Sequence, residues 1–122
     1  MNTTILVVDD DDDFRESVKM LLEEDGYIVL EASNGNEAIR VIQTVNIDLM
    51  LTDVLMPEMD GIELSKKINE IQPLLKVMGM SGGGMRETAS EIKTKAASYF
   101  QAFLHKPFTL EELVGSIEEL VV

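Results

Sequence analysis

Short apolar runs and amphipathic stretches alternate along this chain from end to end. Residues 4–9, centred on Ile5-Leu6-Val7-Val8, read as a buried strand. Phe14, Val18, Leu21 and Leu22 then recur at helical spacing until Asp25-Gly26 ends the pattern. Tyr27 to Glu31 predicts a second strand, Asn34-Gly35 a turn, and Ala38, Ile39 and Ile42 a second helix. Residues 48–53 predict a third strand, apolar on both faces as a central parallel strand is. Ile62, Leu64, Ile68 and Ile71 mark a third helix that ends before Pro73, and Leu75 to Met80 a fourth strand. After Gly82-Gly83-Gly84 a helix is expected from Arg86 to Ser98, then a short strand from Ala102 to His105. Thr109, with Glu112 three positions later, reads as a capping box opening a last helix. Five strands alternating with five helices predict an α/β fold, and right-handed crossovers wind it into a three-layer doubly wound (βα)5 sandwich.

In such a fold the strand ends share one edge, where open α/β sheets place their ligands. The polar residues at those ends are therefore expected to meet. Asp9 and Asp10 follow the first strand and Asp53 closes the third; Met56-Pro57 and Asp60-Gly61 lie just beyond. Ser81-Gly82 follows the fourth strand and Lys106-Pro107 the fifth. Three acids, a hydroxyl and a lysine suit a divalent metal and a phosphoryl group.

Composition narrows the field. The 122 residues are expected to form one domain, 1–122, burying ~65% of the unfolded surface. Acids outnumber bases 23 to 10, for a net charge of -13, so direct binding to nucleic acid or to an anionic membrane is not expected. With no cysteine, thiolate metal sites and disulfides are excluded. No stretch approaches ~20 apolar residues and no basic leader precedes the first strand, so the expected location is cytoplasmic.

Each candidate residue also has an ordinary reading. Asp11, Asp12 and Asp13 are equally well explained as charges at a helix start, one of them capping the first helix. Asp9 and Asp10 differ, because a carboxylate pair directly after a buried strand repels unless a cation joins it. A hard, oxygen-liganded ion such as Mg²⁺ fits. A calcium loop of the EF-hand type fails, since Phe14 stands where its glycine belongs and Met20 where its bidentate glutamate belongs. Asp53 has no helix to cap, because Asp60 is better placed to start the third one, and a carboxylate can act as a nucleophile toward phosphorus. Ser81 could be a plain turn residue, but its hydroxyl can also bond a phosphoryl oxygen. The Gly82 and Gly83 backbones could approach that same oxygen. Lys106 can neutralise phosphoryl charge opposite a metal. Phe103 reads as core or half-core, His105 as a bystander, and the methionines mostly as core filler.

Taken together, these stretches resemble the receiver domains of bacterial two-component response regulators, over essentially the whole chain. The resemblance rests on Ile5-Leu6-Val7-Val8-Asp9-Asp10, Leu51-Thr52-Asp53-Val54-Leu55-Met56-Pro57 with Asp60-Gly61, Met80-Ser81-Gly82 and Lys106-Pro107-Phe108. It implies a flavodoxin-like parallel sheet in the order 2-1-3-4-5, with Asp53 as phosphoacceptor. It also implies Mg²⁺, or Mn²⁺ in its place, held by Asp10, Asp53 and the Leu55 backbone carbonyl, with Asp9 acting through water. Lys106 would pair with phosphoryl oxygens, the Gly82 backbone would contact them, and Ser81 with Phe103 would form the switch. A cis Lys106-Pro107 peptide is implied as well.

The implied partners are a sensor histidine kinase or histidine phosphotransfer protein and a downstream protein target. The target would dock on the fourth helix, fifth strand and fifth helix, a face also compatible with a homodimer. The expected role is a signalling phosphoacceptor that catalyses its own phosphorylation, either as a stand-alone receiver or as one cut from a longer regulator or hybrid kinase. Three features depart from the family pattern. Ser81 to Lys106 is a longer interval than in compact chemotaxis-type receivers. Tyr99-Phe100 replaces the usual Gly-Ala and could expose two aromatics to a partner. Leu55 offers no polar group to orient water, which predicts slow self-dephosphorylation. Two other aspartate-phosphate or phosphate-binding readings fare worse. A dehalogenase-type phosphohydrolase needs a second aspartate where Leu55 stands, and five aspartates after the first strand would repel a flavin phosphate.

Overall fold

The computed structural model describes residues 3–54, 56, 59–81 and 100–121. Its strands are β1 (Thr4–Val8), β2 (Ile28–Ala32), β3 (Leu49–Asp53), β4 (Lys76–Ser81) and β5 (Ala102–His105). The described helices are α1 (Asp12–Glu24), α2 (Gly35–Thr44), α3 (Gly61–Ile71) and α4 (Leu110–Val121), the last being the helix expected fifth from the sequence. The helix expected from Arg86 to Ser98 lies outside the described residues.

All strand pairs are parallel, and the sheet order is β2-β1-β3-β4-β5, as expected. The central strand β3 is buried at every position, which is why it shows no polar alternation. The two pleat faces of the sheet carry separate cores. On one, Leu6, Val8, Met50 and Val77 pack against Ala38 and Ile42 of α2 and Leu64 and Ile68 of α3. On the other, Ile5, Val7, Leu51 and Met80 pack against Val18 and Leu22 of α1 and Leu113 and Ile117 of α4. Met50, Met56, Met59, Met78 and Met80 are all buried, so these methionines are indeed filler.

Local chemistry sets the helix starts. Asp11 and Asp60 cap α1 and α3 by accepting from the Phe14 and Glu63 N–H groups. Asn34 caps α2 by accepting from Glu37 N–H, so Asn34-Gly35 is a helix entry rather than a free turn. The capping box at Thr109 forms reciprocally. Its hydroxyl accepts from Glu112 N–H and Glu112 Oε1 accepts from Thr109 N–H, both at 3.1 Å. Gly26 takes a φ of 95° as the chain leaves α1, a conformation L side chains rarely adopt. Ser81 is the last residue of β4 rather than the first beyond it.

Candidate functional site

Strand register brings the site together. Val8 pairs with Thr52, so Asp9 leaves β1 level with Asp53 at the end of β3. Asp53 pairs with Met80, one residue before Ser81, and Ser81 pairs with His105, one before Lys106. The sheet edge thus steps outward by one residue from β3 to β5, and Lys106 reaches back across it.

Asp9 is fully buried. Its Oδ1 accepts from Asp11 N–H at 2.9 Å, and its Oδ2 accepts from Lys106 Nζ at 2.9 Å. Its carbonyl accepts from the Arg15 guanidinium at 2.6 Å. Arg15 also bonds Asp12 and Glu31, tying the start of α1 to β2. Lys106 Nζ lies 3.6 Å from Asp53 Oδ1 and 4.0 Å from the Phe14 ring centroid. Phe14 in turn meets Phe108 edge-on, with centroids 5.9 Å apart. The ammonium is thus enclosed by two carboxylates and an aromatic face, and the Lys106-Pro107 peptide that carries it is cis, as expected.

Asp53 is buried at the end of β3. Burial pushes its carboxyl up to about 6; Lys106 pulls in the opposite direction, and Asp9 and Asp10 add to the rise. Asp10 is exposed. Oxygens of Asp9, Asp10 and Asp53 all lie within 4.8 Å of one another. An all-carboxylate donor set of this kind, with one member open to water, fits a hard cation that keeps part of its hydration shell. Among the described residues one ammonium meets these carboxylates and only partly offsets their charge, so a divalent ion is electrostatically favoured here.

Gly61 comes close to the end of β3. Its N–H donates to the Val54 carbonyl at 2.7 Å, and an added Cβ would run into the Asp53 carbonyl oxygen and the Val54 backbone. Asp60 therefore caps α3, and Gly61 lets the first turn of that helix lie against the Asp53–Val54 backbone.

Two expectations are corrected. His105 is no bystander: its Nδ1 lies 3.2 Å from Ser81 Oγ. The two residues are register partners, a placement that spacing alone does not reveal. Phe100 is not offered to a partner either. It is 8% exposed, packs in the core beside β4 and stacks on Phe103 with centroids 6.1 Å apart. The rings of Phe100 and Phe103 crowd Gly79, where an added Cβ would come within 2.6 Å of Phe100 and 2.8 Å of Phe103. Leu55, Gly82, Gly83 and Tyr99, for which the sequence also carries expectations, lie outside the described residues. Phe14 and Arg15 went unremarked as site residues. Their signal was positional, since each lies within the first helical turn after Asp9 and Asp10.

Known proteins share this architecture. The family model described as response regulator receiver domain matches residues 5–118. The response regulator receiver protein CpdR of Brucella abortus is 39% identical over 118 residues, covering 97% of this chain and 96% of CpdR. The sensor kinase CckA of the same organism is 34% identical over 122 residues, which span 98% of this chain but 13% of CckA. Among solved structures, the Vibrio cholerae chemotaxis protein CheY4 matches with a TM-score of 0.89 and 28% identity, covering 98% of this chain and 99% of that one. Response regulator TrrA of Thermotoga maritima, solved in complex with Mg²⁺-BeF, matches with a TM-score of 0.84 and 29% identity, covering 97% and 98%.

These matches define a CheY-like α/β signalling domain. The chain belongs to the response regulator receiver domains of two-component systems. No described helix is long and apolar enough to cross a membrane.

Proposed function

We propose that this receiver accepts a phosphoryl group on Asp53 from a phosphohistidine of a sensor kinase or histidine phosphotransfer protein. The observation that carries this reading is the convergence at one sheet edge of the three carboxylates with Lys106 Nζ. In the transfer an Asp53 carboxylate oxygen forms a bond to phosphorus as the donor's P–N bond breaks. The leaving imidazole takes up a proton and no cofactor is consumed. The receiver itself catalyses this step by positioning and charge neutralisation, and it is a signalling phosphoacceptor rather than a metabolic enzyme.

Asp10 and Asp53 would hold Mg²⁺ directly, with Asp9 contributing through water and the Leu55 carbonyl completing the protein ligands. When bound, the ion offsets the negative charge of Asp53 and of the incoming phosphoryl oxygens. Lys106 is already poised 3.6 Å from Asp53 and can turn from Asp9 toward a phosphoryl oxygen. Ser81, together with the Gly82 backbone, would contact another such oxygen. Movement of Ser81 and Phe103 would then bias the surface formed by the fourth helix expected from the sequence, β5 and α4 toward a protein target. With Leu55 bringing no polar group to water, loss of the phosphoryl group is slow.

Intact-mass spectrometry after incubation with acetyl phosphate tests the reading. The expected result is a single Mg²⁺-dependent phosphoryl adduct on the parent and none on Asp53→Asn. No adduct with acetyl phosphate, followed by none with a phosphorylated kinase, would leave the chain a receiver fold that signals by binding alone.

A further inference from the structure

One polar contact at the sheet edge lies apart from the carboxylates and Lys106. Ser81 Oγ and His105 Nδ1 lie 3.2 Å apart on adjacent strands. The His105 ring meets Phe103 at a steep angle, with centroids 5.4 Å apart, and Phe103 stacks on Phe100. Side chains alternate along a strand, so Ser81 shares its pleat face with Gly79, Phe103 and His105. Asp53 pairs with Met80 and belongs to the opposite face. The Ser81 hydroxyl is therefore held on the far pleat from the carboxylate it would serve.

We propose that His105 is a positioning residue that retains the Ser81 hydroxyl in the unphosphorylated state and so weakens phosphoryl binding at Asp53. The proposal rests on the reading of Asp53 as phosphoacceptor. A serine hydroxyl has one proton to donate. When it donates to His105 Nδ1, it cannot donate to a phosphoryl oxygen. When Nδ1 carries the proton instead, His105 donates to the hydroxyl and still ties that oxygen to β5. Either tautomer must release Ser81 before it can cross the edge. Because Phe103 packs against the same imidazole, release of Ser81 also frees the ring neighbouring Phe103. His105 thereby links the hydroxyl and the aromatic halves of the switch.

The test uses Mg²⁺ with beryllofluoride as a phosphoryl stand-in, its affinity read by isothermal titration and by amide NMR shifts. The set comprises the parent, His105→Val, His105→Asn, Ser81→Ala and the Ser81→Ala/His105→Val double variant. Loss of one partly exposed hydrogen bond is expected to tighten binding about 2- to 10-fold in His105→Val. The gain should vanish in the Ser81→Ala background, as a coupling between two touching groups requires. His105→Asn, which can again bond the hydroxyl, should return the affinity toward the parent value and covers the case of a misfolded His105→Val. An unchanged or weaker affinity in His105→Val, or the same gain without the Ser81 hydroxyl, would overturn the proposal. Failure of the parent to bind beryllofluoride would instead bring down the phosphoacceptor reading, and this proposal with it.

Discussion

The two pleat faces of the sheet meet the same edge but end in opposite chemistries. On the face shared with α1 and α4, Asp9 and Asp53 converge on Lys106, with acidic charge in excess and Asp53 holding its proton up to about 6. On the other face Ser81, His105, Phe103 and Phe100 form a neutral set whose polar atoms bond each other and whose rings stack. The first face is short of positive charge and stores electrostatic repulsion; the second is nearly satisfied as it stands. On the proposed reading, the charged face would gain from a cation and could then take up an anion, whereas the neutral face would have to give up its resting contacts to report it.

Replacing Lys106 should disturb the charged face more than any other single change proposed for it. Lys106→Met keeps the stem but removes the ammonium that bonds the fully buried Asp9. A buried carboxylate left without its cation is costly, and a loss of about 2–3 kcal/mol is expected. Urea unfolding without divalent ions measures it. Since a competing positive charge is gone, Mg²⁺ should raise the unfolding midpoint of the variant more than that of the parent. Equal Mg²⁺ effects would mean that Lys106 and the ion do not share the same carboxylates.

Asp53→Asn acts in the opposite direction. The folded chain holds the Asp53 proton up to about 6, whereas the unfolded chain releases it near its ordinary value of 3.8. The folded state therefore binds the proton more tightly, and stability falls as pH rises through that window. Above it, both states are ionised and the folded one carries the full penalty of a crowded, buried carboxylate. Asp53→Asn removes that penalty, so without Mg²⁺ it should gain about 1–2 kcal/mol at pH 8 and little at pH 4. Denaturant midpoints across that range check it. A gain independent of pH would place its origin in packing rather than in the charged face.

The charged face was largely legible in the sequence, and the neutral one was not. Apolar runs gave the strands within a residue or two, and acids placed directly after them could only gather at a shared edge. The capping box at Thr109 and the cap at Asp60 follow from local spacing in the same way. The Ser81–His105 contact depends on β4–β5 register across 24 residues, which no local pattern encodes. Phe100 misled for a related reason. An aromatic at a family position that usually carries a small residue reads as exposed until Gly79, a bare position on β4, is seen to make room for its ring. Lys106 is expected from the sequence to face phosphoryl oxygens, and its pairing with Asp9 follows from the burial of Asp9, which composition does not reveal.

The smallest expected effect concerns the aromatic wall of the charged face. Phe14 is half-buried in the first turn of α1, with Lys106 Nζ 4.0 Å above its ring and Phe108 braced against its edge. A cation over a ring at such a site contributes about 0.5–1 kcal/mol, and it also limits where the ammonium can sit. Phe14→Leu keeps an apolar residue against Phe108 but offers the ammonium no π face. Phe14→Tyr keeps both. If the ring steers Lys106 between the two acids, phosphorylation by acetyl phosphate should slow about 2- to 5-fold in Phe14→Leu and recover in Phe14→Tyr. A purely space-filling role predicts instead that both variants track their unfolding stability. Equal rates in the two variants would reduce Phe14 to a core residue and leave the positioning of Lys106 to Asp9 and Asp53 alone.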